Sequence, residues 1–257
     1  MLFRMTVNSN ILSTTYNDGF IQFRGSSLID WKDKRERGFC FMKIVSPNVE
    51  IISMDDYSTI LKKIERIGRV CYKSEENITD VSAERFIAGL IRRGHESVIE
   101  HEAISVRITC DRGVTHEIVR HRIASYSQES TRYCNYSNDK FDNQITVIDP
   151  CGGFSYDLTK REDLEKYETW KEAMDAAEKY YFKLLKLGAD PQEARSVLPN
   201  SLKTEIVVTM NLREWRHFFR LRTSLRAHPQ MRQVATMVYE AMVEKLPVFF
   251  QDIQPGV

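Results

Sequence analysis

The sequence predicts an α+β fold that is rich in helix and contains a small, mostly antiparallel sheet. Several segments repeat apolar residues at intervals of three and four, which is typical of amphipathic helices. Two shorter segments alternate apolar and polar residues, which is typical of half-buried strands. The chain of 257 residues is 42% hydrophobic and 28% charged, a composition that supports a substantial globular core.

The first part of the chain differs from the rest. Residues 1–41 have no clean period and are rich in polar, Gly and Ser positions. The stretch "MKIVSPNVEIISMDD", which starts at Met42, then begins like a strand. We therefore interpret 1–41 as an N-terminal extension, a misassigned start or a family-specific arm, with an ordinary N-terminal subdomain as the alternative, and expect the functional domain to cover 42–257.

The other elements follow in chain order from the same two periodicities. Gly94 and Gly188 end predicted helices, since glycine is common just after a helix. Asn211 can cap one helix, and Pro229 can open the last one. The predicted strands are 102–110 and 201–210, and the predicted helices are 55–70, 80–93, 114–119, 162–187, a short helix from Pro191, 212–222 and 229–245.

Charge and cysteine content exclude several classes of protein. The net charge of +1 lacks the basic excess that is usual in proteins that bind nucleic-acid backbone. Five cysteines without a C-x-x-C pair indicate reduced thiols, not a disulfide framework or a zinc ribbon. No apolar run approaches the ~20 residues that span a bilayer, and we find no signal peptide. We therefore expect a cytoplasmic protein that binds neither nucleic acid nor membrane.

A metal site is not expected either. "HEIVR" at 116–120 is close to the H-E-x-x-H helix of zinc proteases, but Arg120 occupies the position of the second histidine. "HESVIEH" at 95–101 fails in the same way, because Ile99 stands where the second ligand belongs. We predict no metal ligands in this chain.

The segment "RHRIASYSQESTRY" at 120–133 concentrates hydrogen-bond donors. Arginine offers a planar fork that suits phosphate and carboxylate, and the interleaved hydroxyls and amides suit sugar and base edges. This mixture favours the binding of a polar small molecule. Ser130 is interpreted as a partner of that molecule and not as a nucleophile, since no His–Asp pair is evident nearby. Elsewhere we interpret Arg216, Arg220 and Arg232 as solvated positions.

One spacing in this segment is specific. Arg120-His121-Arg122, seven residues and then Ser130 match the signature of the flavin-dependent thymidylate synthases, and the chain resembles that family from about Met42 to its end. Three further segments resemble family segments in the same order: "HESVIEH" at 95–101, "ARSVLP" at 194–199 and "NLREWRHFFRLR" at 211–222.

The resemblance implies an activity and a set of small molecules. It implies the reductive methylation of dUMP to dTMP, in which 5,10-methylenetetrahydrofolate gives the carbon and NADPH gives reducing equivalents through bound FAD. It also implies a homotetramer whose active sites combine residues of several subunits.

The resemblance further implies roles for individual residues. Arg222 is the implied catalytic residue, which polarises the uracil so that N3 can ionise, and His95 lies on the folate side. The implied cofactor-binding residues are Ser97, Glu100, Arg120, His121, Arg122, Asn211, Arg213, His217 and His228. The implied substrate-binding residues are Glu117, Arg120, Gln128, Glu129, Ser130, Thr131, Arg132, Arg195 and Arg222.

The chain departs from the family pattern at four of these positions. Gln128 stands where many members have Glu, and Glu117 stands where many have Gln, as if acid and amide were exchanged. His217 fills a place where Asn is expected, and His228 lies two residues later than the family spacing.

Elementary chemistry supports the same activity. Methylation of uracil requires electron density at C5, which the more common thymidylate synthases obtain by attack of a Pro-Cys-His cysteine on C6. This chain has only "DPCGG" at 149–153. A hydride from reduced flavin can replace the thiolate, and a preorganised arginine can stabilise the negative charge that develops. Two alternatives remain open: a nucleic-acid-binding module that uses these arginines on phosphates, and a different FAD-dependent oxidoreductase.

Overall fold

The computed structural model describes residues 42–256, so the predicted extension at 1–41 lies outside the described residues. The strands are β1 (Lys43–Val45), β2 (Asn48–Ser53), β3 (Ala103–Asp111), β4 (Ser125–Gln128), β5 (Thr146–Ile148) and β6 (Lys203–Asn211). The α-helices are α1 (Tyr57–Val70), α2 (Ser82–Arg92), α3 (Arg112–Ile118), α4 (Cys151–Phe154), α5 (Arg161–Lys186), α6 (Pro191–Ala194), α7 (Leu212–Arg222), α8 (Pro229–Lys245) and α9 (Pro247–Phe250). Short 3-10 turns lie at Glu75–Asn77, Glu96–His101, Asp139–Phe141 and Arg195–Val197.

The predicted α+β class is confirmed, with a four-stranded antiparallel sheet in the order β2-β3-β6-β4. The central strands β3 and β6 pair from Ala103 opposite Asn211 to Asp111 opposite Lys203. Alternate side chains on both strands are buried, as the predicted period of two requires. A second sheet holds only β1 and β5, which pair in parallel.

The strand β4 was not predicted, since its residues Ser125–Gln128 are polar and belong to the donor-rich segment. It pairs antiparallel with β6 at the edge of the sheet, from Ser125 opposite Thr209 to Gln128 opposite Ile206. This pairing places the middle of the donor-rich segment on the sheet rather than in a loop.

The main core lies between the sheet and the C-terminal helices. Trp215, Phe218 and Phe219 of α7 are fully buried and pack with Phe249 and Phe250 of α9 in one cluster. Each such side chain contributes roughly 1.5–3 kcal/mol on burial, so α7 is one of the most firmly held elements. A smaller cluster forms around α5.

Two capped helices bring the site together. Asp111 caps α3, since its Oδ1 accepts from Val114 N at 2.7 Å, and Asn211 caps α7, since its side chain accepts from Glu214 N at 2.9 Å. Each cap ends a central strand, and because β3 and β6 are antiparallel, the two helices start at opposite ends of the strand pair. The C-terminal parts of α3 and α7 then meet.

Arg216 corrects one interpretation of the sequence, because it is fully buried and not solvated. Its guanidinium donates to Glu96 at 3.1 Å, to both carboxylate oxygens of Asp252 at 2.6 and 2.7 Å, and to the carbonyl oxygen of Phe249. Arg220, half-exposed one turn later, donates to Glu96 at 3.0 Å. Arg216 therefore ties the turn Glu96–His101 to the C-terminal segment.

Within residues 42–256, no helix combines the length and the apolar character that crossing a membrane requires.

Candidate functional site

A chain of hydrogen bonds joins α3, α7 and the RHR motif. Arg222 donates from Nε to His121 Nε2 at 3.1 Å, from Nη1 to Glu117 Oε2 at 2.8 Å and from Nη2 to the Glu117 carbonyl oxygen at 3.0 Å. The other ring nitrogen of His121, Nδ1, lies 2.9 Å from Glu214 Oε1. We call these four residues, Glu117, His121, Glu214 and Arg222, the His121 cluster.

The helical period of α7 explains how one ring reaches both ends of the cluster. Glu214, Phe218 and Arg222 are spaced by four, so they form one stripe along the helix. The His121 ring lies on this stripe, edge-on to Phe218 at 5.0 Å between ring centroids. The His217 ring lies 5.4 Å from it on the exposed side.

His121 is only 4% exposed, which decides its charge. Burial lowers the pKa of His121, the hydrogen bond to the Glu214 carboxylate opposes this shift, and the positive charge of Arg222 lowers the pKa further. The ring is therefore neutral near pH 7. Its backbone is also held, because the Tyr126 hydroxyl lies 2.5 Å from the His121 carbonyl oxygen.

The two arginines of the motif differ from its histidine. Arg120 and Arg122 are exposed on either side of buried His121. Arg120 Nε donates to the His116 carbonyl oxygen at 3.1 Å, which uses only one of its five N–H groups. The motif thus presents two cationic forks to solvent around one buried ring, an arrangement that can receive a phosphate or another anionic group.

The predicted substrate residues after the motif form small groups. The Gln128 amide donates to Thr115 Oγ1 at 3.1 Å and to Thr204 Oγ1 at 3.3 Å, so the amide at this departure from the family pattern is matched to two hydroxyls. Glu129 is paired with Lys203 Nζ at 3.1 Å and also accepts from the Tyr136 hydroxyl at 3.2 Å.

Arginines from two segments meet near Thr131. Arg195 Nη1 lies 3.4 Å from Thr131 Oγ1, and Arg132 donates from Nε to Gln192 at 3.0 Å. Ser130 Oγ accepts from Arg132 N at 3.3 Å. Arg132 and Arg195 are both exposed, so this part of the surface can also bind an anionic group.

The remaining predicted residues contact their own neighbours. Arg213 and Glu100 form an exposed ion pair at 2.5 Å, and Asn211 is the cap of α7. His95 Nδ1 lies 3.4 Å from the Tyr72 hydroxyl. Ser97 is exposed in the turn Glu96–His101. Among residues 42–256, hydrogen bonds that involve a side chain thus join predicted site residues in four groups: Glu117, His121 and Arg222; Ser130 and Arg132; Thr131 and Arg195; Glu100 and Arg213.

A cavity of about 230 Å³ brings two further predicted residues together. Glu117 and His228 both line it, with Asp111 between the strand β3 and the helix α3. Asp111 Oδ2 is buried and has no hydrogen-bond partner among the described residues, and burial raises the pKa of Asp111. Asp111 was not predicted from the sequence as a lining residue. Its only signal was its position before a short predicted helix, where an acidic residue usually serves as a cap.

A larger cavity of about 450 Å³ is lined by residues of α4 and α8 and by Thr223 and Leu225, which follow α7. Gly152 and Gly153 line it from α4, so "DPCGG" is a helical turn and not an open loop. A side chain at Gly152 would collide with Gln233 and one at Gly153 with Gln230. The glycines therefore permit the close approach of α4 to α8.

Three of the described cysteines, Cys110, Cys134 and Cys151, are poor nucleophiles. Burial raises the pKa of Cys151 to about 12, and burial also raises the pKa of Cys110 and Cys134. A thiol with a raised pKa is protonated near pH 7 and does not attack C6 of a pyrimidine. This agrees with the prediction that "DPCGG" carries no catalytic thiolate.

Three ligand-type atoms of His121, Glu214 and His217 lie within 4.8 Å of one another. We interpret this group as hydrogen-bonded and not as a metal centre. His121 Nδ1 already faces Glu214, and the guanidinium at His121 Nε2 places a positive charge beside any cation.

Known proteins resemble this chain over most of its length. The model of the family described as "Thymidylate synthase complementing protein" matches residues 54–248. The flavin-dependent thymidylate synthase of Pyrococcus furiosus is 35% identical over 189 residues, which cover 73% of this chain and 72% of that protein. The flavin-dependent thymidylate synthase of Geobacter sulfurreducens is 35% identical over 196 residues, which cover 74% of this chain and 80% of that protein.

A solved structure shares the fold. The UMP/dUMP methylase PolB from Streptomyces cacaoi, solved with 5-Br dUMP, superposes with a TM-score of 0.68 at 22% identity. The match covers 82% of this chain and 96% of that chain. Helices and strands in the order described above therefore occur in a protein of distant sequence.

Proposed function

The chain belongs to the family of flavin-dependent thymidylate synthases, and from that premise we propose that it methylates dUMP with FAD, NADPH and 5,10-methylenetetrahydrofolate. As a member of this family it is a methyltransferase that makes dTMP from dUMP and depends on a flavin. The identities of the flavin as FAD, of the reductant as NADPH and of the carbon donor are our proposal. They follow from the resemblance of the RHR-X7-S segment to the family signature.

The orientation of Arg222 is the observation that carries the proposed mechanism. A guanidinium has five N–H groups, and three of them donate within the His121 cluster. This leaves two N–H groups without a partner in the described part of the chain. A cation held in place before the substrate binds can stabilise negative charge on the uracil without reorganising during the reaction.

The exposed arginines suit the other end of the nucleotide. Arg195 and Arg132 lie around Thr131 and Ser130, and guanidinium forks bind phosphate oxygens in pairs. We propose that this group holds the dUMP phosphate, while Gln128 and Glu129 contact the sugar and base. Ser130 then acts as a hydrogen-bond partner, as the sequence predicted.

The flavin site is proposed around the exposed face of the RHR motif. Arg120 and Arg122 offer cationic forks to the FAD phosphates, and Arg213, Glu100, Ser97, Asn211, His217 and His228 complete the set that the family pattern implies. His95 is proposed on the folate side. When bound, reduced flavin would supply the hydride that takes the place of a cysteine thiolate at C6. The Cys151 thiol, whose pKa burial raises to about 12, is protonated near pH 7.

The test is the visible absorption spectrum of the purified protein with FAD, then NADPH, then dUMP. We expect a bound-flavin spectrum that bleaches with NADPH and changes when dUMP is added. Formation of dTMP with methylenetetrahydrofolate completes the assignment. A protein that binds FAD without dUMP turnover would be a different oxidoreductase. A colourless protein whose binding to nucleic acid falls steeply with salt would favour the phosphate-backbone alternative.

We also propose that 42–257 is the catalytic domain and that four copies share their active sites. The scattered groups of predicted residues support this assembly, because no single group among the described residues offers contacts for dUMP, FAD, NADPH and the folate together. Sedimentation of the full chain tests the tetramer, and a dimer or monomer with full activity would contradict it.

A chain that begins at Met42 is expected to fold and to bind flavin. The described elements form their sheets and cores within residues 42–256, and Met42 itself is buried in the smaller core. Flavin absorbance and circular dichroism of this shortened chain, compared with the full chain, provide the measurement. An insoluble product would show that 1–41 is required for the fold.

A further inference from the structure

Glu214 is the member of the His121 cluster that the sequence analysis did not select. It lies in the first turn of α7, with its backbone N–H bound by the Asn211 cap at 2.9 Å. Glu214 is only 8% exposed. A carboxylate is rarely buried unless it is paired, and its partner here is the His121 ring.

The hydrogen bonds at the two ring nitrogens of His121 are compatible with only one protonation state of the ring. Arginine carries only N–H donors and stays charged at any working pH. His121 Nε2, which faces Arg222 Nε at 3.1 Å, must therefore be the unprotonated acceptor. In a neutral ring the proton then lies on Nδ1, 2.9 Å from the Glu214 carboxylate. In the other tautomer, the Nε2–H of His121 would face the Nε–H of Arg222, and the unprotonated Nδ1 would face the Glu214 carboxylate.

We propose that Glu214 is a positioning residue for Arg222, which acts by holding His121 in its Nδ1–H tautomer. Glu214 accepts from Nδ1–H at one end of the His121 ring, and Nε2 at the other end accepts from Arg222 Nε–H. The two Nη atoms of Arg222 donate to Glu117. This role rests on the proposed function of Arg222. A carboxylate that orients a histidine is a common device, and here it acts across two turns of a single helix.

The charged and titratable groups around His121 make the role measurable through pH. They are Glu214, His217 and Arg222 from α7, Tyr126 from β4 and, behind Arg222, Glu117 from α3. Burial and Arg222 lower the pKa of His121, and Glu214 opposes them. Loss of the Glu214 charge should lower that pKa further. Because activity requires the neutral ring, the acid limb of the pH profile should then move to lower pH.

Two variants separate the charge of Glu214 from its acceptor oxygen. Glu214→Gln keeps an oxygen for Nδ1–H, so we expect kcat within about threefold of the wild type and an acid limb at lower pH. Glu214→Leu removes the acceptor, and we expect kcat to fall about 10- to 100-fold, the effect of one hydrogen bond to a charged group. The KM for dUMP should change little, because orientation of Arg222 matters most in the transition state.

Glu65→Gln provides the matched control. Glu65 is a buried carboxylate that accepts from Arg69 at 2.8 Å and from Ser82 at 2.9 Å, in α1 and α2. Its replacement should affect stability without moving the acid limb. If Glu214 had a purely structural role, its variants would lose activity equally at every pH, and the acid limb of the pH profile would not move. That outcome would overturn the proposal.

The tautomer can be observed without any turnover. In protein labelled with ¹⁵N-histidine, the signal that disappears in His121→Asn belongs to His121. We expect it to show a neutral Nδ1–H ring in the wild type and to lose that pattern in Glu214→Leu. An Nε2–H ring in the wild type, or an unchanged ring in Glu214→Leu, would contradict the proposal. A wild type that makes no dTMP would refute the proposed function instead, and the tautomer measurement would still decide how Arg222 is held.

Discussion

Replacement of Arg222 by alanine is expected to lower kcat for dTMP formation by at least about 100- to 1,000-fold, while flavin remains bound. Loss of one preorganised donor to a developing anion has an effect of that size, and Arg222 also carries a full charge. Glu117 and His121 hold the fork in place, so no neighbour replaces it. Flavin retention is expected because the proposed flavin contacts are Arg120, Arg122 and their neighbours.

The controls for this result lie on the same helix. Arg220→Ala removes a half-exposed guanidinium two residues earlier, and a surface pair of this kind contributes about 0–1 kcal/mol, so kcat should be nearly unchanged. Arg222→Lys restores the charge but cannot donate to both His121 and Glu117 as a fork, and we expect it to recover only part of the lost activity. Single-turnover flavin oxidation and dTMP yield are the measurements. Normal turnover by Arg222→Ala would exclude Arg222 as the catalytic residue.

Replacement of Arg216 by alanine is expected to destabilise the fold by about 1.5–3 kcal/mol, because a buried guanidinium that donates to charged partners is lost. Arg216 is 0% exposed and connects Glu96 with Asp252. Asp252 would lose both of its short hydrogen bonds to Arg216, Glu96 would keep only Arg220, and the Phe249 carbonyl oxygen would lose its donor. The measurement is the urea midpoint at fixed protein concentration, since assembly also contributes to apparent stability.

Arg220→Ala is again the matched control, since it contacts the same Glu96 from a half-exposed position and should change the free energy of unfolding by less than about 1 kcal/mol. Arg216→Ala should also loosen the turn Glu96–His101, which carries Ser97 and Glu100. Weaker flavin binding is therefore expected even at temperatures where the variant is folded. An unchanged urea midpoint would show that the buried ions are compensated in another way.

The sequence was sufficient for elements with a strong period. The helices α7 and α8 and the paired strands β3 and β6 were predicted because each buries one clear face. The strand β4 was missed because Ser125–Gln128 lies at a sheet edge and alternates only polar and aromatic residues. Pairing with β6 decides its conformation, and that partner lies about 80 residues away in the chain.

The residues of the candidate site also divide into those that were predicted from the sequence and those that only the structure shows. Arg222 and the RHR motif were selected by resemblance, although 101 residues separate His121 from Arg222. Glu214 and Arg216 lie in the family-like segment 211–222, but the resemblance implied no role for either, and a helical pattern does not reveal which charged residue faces inward. Their partners come from the RHR motif, the turn after α2 and the C-terminal segment, so only the folded chain shows that both are buried.

The long separation between β3 and β6 has a consequence for the order of folding. Their register places Ala103 opposite Asn211, so the central pair closes a loop of about 100 residues before neighbouring contacts can form, and such distant pairing slows folding. The helices α3 and α7 each continue directly from one of these strands. In a refolding experiment, helical signal should therefore return early, and the approach of Arg222 to His121 should wait for the slow closure of the sheet.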